Sequence, residues 1–179
     1  MRKMLLLLAA AVMINGALPA QSLKPIEAES KIGFVIRNMG MDVEGSFKGL
    51  KGVIQINPAD WSKSHFDVTV DVTTVNTGIQ RRDNHLKQPD FFDVAQYPEI
   101  RIQSSRIIPK QGNVYYAEAI LTMHGVSRDI KFDFIAKPAE GGFLLTSNFS
   151  VNRLDYKIGR SSITMADKVT VMLSVLAKK

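Results

Sequence analysis

The feature that most constrains this chain is apolar alternation with a period of two. In Phe66-Asp67-Val68-Thr69-Val70-Asp71-Val72 every second side chain is apolar and those between are polar, which sets a dry face against a wet one on an extended strand. The same pattern recurs at Ile32, Phe34 and Ile36, at Ile100 and Ile102, at Ala117 through Met123, at Ile130, Phe132 and Phe134, at Phe149 and Val151, and at Val169 through Val175. Two further strands are expected at Met41 to Phe47 and Leu50 to Asn57, separated by a turn at Lys48-Gly49, with Gly45 and Gly52 inviting a bulge. Asn57-Pro58, Gln111-Gly112-Asn113, Gly125 and Pro138 through Gly142 supply turns. These connections are too short for parallel crossovers, so eight or nine strands are antiparallel.

Such a sheet must cover its apolar face, as a two-layer sandwich or a closed barrel. Abundant medium-sized and large apolar residues, with little helix to cover them, favour the barrel, which at about eight strands is filled by side chains or encloses one small ligand. The pattern breaks once, from Thr77 to Pro98. There Ile79 and Leu86 are spaced as on one helix face, and Pro89-Asp90-Phe91-Phe92 can begin a second helical turn. A smaller excursion is expected at Leu154 to Lys157. No repeat or linker divides the chain, so one domain is expected over 21–179.

Residues 1–20 read as an export signal: Arg2-Lys3, an apolar run from Met4 to Ile14, then Gly16 through Ala20. The run is too short to span a membrane. Its removal leaves 159 of 179 residues, enough for one core, and places the protein in the periplasm. The chain has no cysteine, which excludes a disulfide framework and a lipid anchor on Cys. The formal charge of +6 includes Arg2 and Lys3. The remainder is mild and scattered, with no footprint for nucleic acid.

The apolar face formed by Ile32, Phe34, Ile36, Phe47, Phe66, Val68, Val70, Ile100, Ile102, Phe132, Phe134, Phe149 and Val151 reads from the residues alone as a packed core or as the lining of a pore. Phe91, Phe92, Met39 and Met41 are candidates for a flexible apolar lip or for a plug. Arg81, Arg82 and His85 can receive an anionic headgroup, or Arg82 can pair with Asp83, Asp90 or Asp93. The histidines His65, His85 and His124 do not sit at metal-ligand spacing. No Ser elbow or Cys nucleophile exists, and Asp67 and Asp71 lie on a strand's wet face, so an enzyme is not expected.

Arg82-Asp83-Asn84-His85-Leu86 followed by Pro89 through Asp93 and Tyr97-Pro98-Glu99-Ile100 resembles the YceI-like family of exported lipocalin-like proteins. Ser30 through Phe34 with Val43 through Phe47, Leu121 through Arg128, and Ala166 through Val169 carry the resemblance in the same order. It implies an all-β, extended eight-stranded antiparallel barrel with one or two short helices, and a long pore for a polyisoprenoid or similar amphiphile. On that resemblance part of the apolar face becomes a pore lining. The expected role is a periplasmic carrier of a quinone or polyprenyl phosphate, with a filled, structural or stress-related interaction barrel as the alternative. No cofactor is expected beyond such a lipid. The expected partner is an apolar or amphiphilic lipid, without nucleic acid or a stable membrane anchor, and a homodimer is compatible with the sequence.

Overall fold

The computed structural model describes residues 20–179, so the proposed export signal lies outside the described residues apart from Ala20. The strands are β1 (Gln21–Pro25), β2 (Lys31–Asn38), β3 (Met41–Ile56), β4 (His65–Asn76), β5 (Glu99–Pro109), β6 (Val114–Met123), β7 (Val126–Ala139), β8 (Gly142–Asn152) and β9 (Met165–Lys178). Among the described residues one α-helix, α1 (Gln80–Leu86), stands between β4 and β5.

All pairings are antiparallel, and β3 pairs with β4 to close the sheet. Nine strands make an eight-staved barrel because β1 and β2 share one stave. Both run antiparallel to β3 and β9. β2 takes the upper part of the gap (Ile32↔Phe47, Ile32↔Leu173), and β1 takes the lower part (Leu23↔Ile54, Pro25↔Ala177). The stave breaks at Ile26, whose carbonyl accepts the Ser30 hydroxyl at 2.7 Å, while Ser30 Oγ accepts the Leu176 N–H. Closure removes every sheet edge, and eight staves leave a bore of side-chain width.

Two expectations do not hold in the fold. The turn at Lys48-Gly49 does not exist, and residues 41–56 form a single strand. Gly49 and Gly52 have φ of 73° and 130°, and the register against β4 jumps between Ser46 and Lys51. The glycines coil one long strand around the barrel instead of reversing it. Residues 89–92 are not a second helical turn either. They form hydrogen-bonded turns in which Gln88 O accepts from the Phe91 and Asp93 N–H groups. The short excursion near Leu154 is present as a 3₁₀ turn at Arg153–Tyr156.

The two ends differ. At the lower end, Trp61 in the β3–β4 connection stacks on Tyr115 at 4.0 Å and meets Phe143 edge-on at 5.5 Å. Ala117, fully buried, stands opposite Phe132, so small and large side chains alternate and the bore fills. At the upper end the β2–β3 hairpin, the segment holding α1, the β6–β7 turn and the β8–β9 loop surround an opening.

Candidate functional site: an apolar tunnel

The barrel interior holds an upper chamber of about 210 Å³ and a lower one of about 60 Å³. They share Val68, Ile102, Leu173 and Val175 in their walls. Because these residues lie between the upper and lower rows of inward side chains, the chambers follow one axis as a tunnel. It opens near α1, and its lower chamber reaches Phe134, on which Tyr115 and in turn Trp61 are stacked.

Of the residues expected to line a pore, Ile32, Phe34 and Ile36 of β2 and Phe47 of β3 line the upper chamber. Val70, Ile100, Phe149 and Val151 do so from β4, β5 and β8. Phe66, Phe132 and Phe134 lie deeper, around the lower chamber, where Phe66 meets Phe134 edge-on at 6.4 Å. The alternation thus placed these side chains inward without revealing how deep each one lies.

The mouth residues divide. Phe91, Phe92 and Arg82 line the upper chamber, whereas Met39, Met41, Arg81 and His85 do not. Phe92 meets Phe47 edge-on at 5.7 Å, so the lip packs on the wall beneath it. Arg82 pairs with none of Asp83, Asp90 or Asp93. It donates through Nε to Thr77 Oγ1 and through Nη2 to Thr77 O, both at 2.7 Å. The Thr77 hydroxyl in turn donates to the buried Asp83 carboxylate at 2.6 Å. His85 Nε2 is 3.3 Å from Asp90 Oδ2 on the exposed surface, turned away from the tunnel.

Sequence reasoning missed Arg153, the buried arginine of the mouth. It is 4% exposed and lines the upper chamber. Its Nε donates to Ala166 O, Nη1 to Ile158 O, and Nη2 to Arg160 O and Asp167 Oδ1, at 2.8–2.9 Å. One guanidinium therefore ties the start of the β8–β9 loop to its end. The loop is also joined to the α1 segment, because the Gly159 N–H donates to Asp90 O at 2.9 Å and a Cβ at Gly159 would sit 3.0 Å from Phe91. Beside Arg153, Tyr156 is 2% exposed, and burial, seconded by the Asp155 carboxylate, pushes its phenol pKa up to about 12. On the outer wall, hydrogen bonding to Arg101 holds the Asp67 carboxyl below its ordinary range. Among the described residues no cluster of three or more His, Cys, Asp or Glu is arranged to hold a metal.

The YceI-like domain matches residues 23–177. The chain belongs to the YceI-like family. A YceI protein of Campylobacter jejuni is 30% identical to this YceI-like chain, with a TM-score of 0.71 over 78% of this chain and 86% of that one. Burkholderia cenocepacia BcnA shares the fold at 22% identity, with a TM-score of 0.82 over 87% of this chain and 99% of that one. So does a polyisoprenoid binding domain from Saccharophagus degradans, at 16% identity and a TM-score of 0.69, over 88% and 97%. A UPF0312 protein of Photorhabdus laumondii is 29% identical over 100 residues, 55% of this chain and 52% of its own length. The match thus spans about half the length of the curated relatives. As the resemblance implied, the fold is the family's closed eight-stranded antiparallel barrel.

Proposed function

We propose that this YceI-like protein is an exported, periplasmic carrier that takes the tail of a long-chain isoprenoid lipid into its barrel and shields it from water. The observation that carries the reading is an apolar tunnel inside the barrel whose walls are mostly aliphatic and aromatic, with Arg82 and Arg153 at the open end. Each methylene-sized group buried contributes about 0.8 kcal/mol, so a long tail is held without specific contacts. The aromatic stack at Trp61 sets how much tail fits, and the mouth sets which headgroup is accepted.

A quinone or polyprenyl phosphate suits this layout, since Arg82 keeps Nη1 unbonded among the described residues and a guanidinium matches phosphate oxygens. The polyisoprenoid-binding domain of Saccharophagus degradans, a structural neighbour, supports the same ligand class. The carrier role requires no covalent step. A filled barrel serving as a structural protein is the less favoured reading, because the upper chamber is empty of side chains.

The test is uptake of a prenyl lipid by delipidated protein with the upper chamber filled by Val70→Phe or Ile100→Trp. Affinity is expected to fall at least about tenfold in these variants. Equal affinity in folded variants would place the lipid elsewhere.

A further inference from the structure

The four most exposed large apolar side chains among the described residues all stand at the open end. Ile163 is fully exposed, Met39 is 72%, Met41 68% and Ile79 53% exposed. The other exposed large apolar residues among the described ones, Val53, Ile120, Ile135 and Met172, are spread over the outer wall at 37–39%, and the described connections of the opposite end carry none. The four are not scattered around the mouth. The Met39 N–H donates to Thr164 O at 2.7 Å and Asn38 pairs with Met165, which sets the hairpin tip beside the loop that carries Ile163. Ile79 precedes α1, whose Arg82 and Leu86 line the chamber.

Charge at this end has one predominant sign. Within the upper loops and the two residues flanking each, Arg37, Arg81, Lys157 and Arg160 are exposed and form no ion pair among the described residues. The unpaired exposed acids there are Asp42 and Asp155, since Asp90 faces His85 and Glu99 pairs with Lys51. Protruding apolar tips interleaved with free cations, around the opening of a lipid-sized tunnel, match the interfacial zone of a bilayer, where apolar groups enter the acyl boundary and cations meet phosphates. A second copy of this chain fits less well, because a two-fold contact through the rim sets these cations against themselves.

We propose that the open end of the barrel is a reversible docking surface for an anionic lipid bilayer, with Met39, Met41 and Ile163 entering the headgroup region and Arg37, Arg81, Lys157 and Arg160 meeting the phosphates. Docking sets the tunnel mouth against the bilayer, so a tail passes between membrane and barrel without crossing water. The proposal rests on the carrier reading for that purpose, although the contact itself is measured separately.

The experiment is vesicle flotation with the chain from residue 21 onward, which comprises the whole barrel. Vesicles of phosphatidylethanolamine with phosphatidylglycerol are compared with vesicles of phosphatidylcholine alone. The parent is expected to float with the anionic vesicles and to be released by salt. Met39→Ser/Met41→Ser/Ile163→Ser is expected to lose at least about tenfold in binding while keeping its near-ultraviolet spectrum and its uptake of prenyl lipid. Arg81→Glu/Arg160→Glu is expected to abolish the preference for anionic vesicles. Equal flotation with both vesicle types, or triple-variant binding equal to the parent's, overturns docking. So does a loss of self-association in the triple variant without a change in flotation, which assigns the rim to a second copy. Failure of the carrier reading instead appears as absent prenyl-lipid uptake in the parent, a readout independent of flotation.

Discussion

Phe34 lies over Gly45, its partner across the β2–β3 ladder, and the ring occupies the space that any side chain at Gly45 would need. The Phe34 ring also contacts Phe47, at 5.4 Å between centroids, so one glycine lets an aromatic cover the strand and still form part of the tunnel wall. Gly45→Val is expected to push the ring toward the chamber, lowering stability by about 1–3 kcal/mol and reducing lipid uptake. Urea midpoints and binding isotherms on the same sample check both effects. A variant with unchanged midpoint and uptake contradicts the packing described.

Arg153 is the second control point. Arg153→Met removes the donors that hold the carbonyls of Ile158, Arg160 and Ala166 and the Asp167 carboxylate. Leaving the buried carbonyls unpaired is expected to cost about 1–3 kcal/mol, while the Asp167 carboxylate keeps access to water. Hydrogen exchange should accelerate across residues 157–165 well before the barrel strands. Arg153→Lys should recover a minority of the loss, since a point charge lacks the planar fork.

Trp61 lies below the lower chamber, stacked on Tyr115 and 6.4 Å from Phe134. Trp61→Ala is expected to lengthen the bore and to shift preference toward longer prenyl tails, at a stability cost of about 2–4 kcal/mol. Competition between prenyl lipids of different chain length, read by mass spectrometry, measures the shift. An unchanged length preference would mean that the stop lies higher in the barrel.

Alkaline pH tests the burial of Tyr156. Its folded pKa of about 12 lies above the ordinary tyrosine value of roughly 10, so the folded state holds this proton more tightly than the unfolded chain. The stabilisation is fully present below pH ~10 and is lost as pH rises toward ~12. Tyr156→Phe should remove that part of the alkaline decline. The parent's denaturation midpoint should therefore fall relative to the variant's between pH ~10 and ~12. Parallel curves would show that Tyr156 is not held in its neutral form by the fold.

The barrel was legible because period-two alternation is a local signal: Phe66, Val68 and Val70 point inward whatever the rest of the chain does. β3 was misread because Gly49 and Gly52 look alike whether they reverse a chain or coil it, and only pairing with β4 decides. β1 went unseen because five residues with one buried apolar side chain, Leu23, make no pattern. Arg153 was hidden for a different reason. An arginine in Asn152-Arg153-Leu154-Asp155 reads as a polar turn, and its burial arises from carbonyls up to 13 residues away that converge only in the fold. Pairing with nearby carboxylates was one of two readings of Arg82, yet Thr77, which carries no charge, takes that place.

Whether the tunnel holds an apolar chain is read by native mass spectrometry of protein purified from its own cells without detergent or organic solvent. The expected mass is that of the barrel plus one hydrophobic molecule, released on unfolding and regained when delipidated protein meets a prenyl lipid. A bare chain mass throughout, with no uptake on incubation with prenyl lipid, would contradict it.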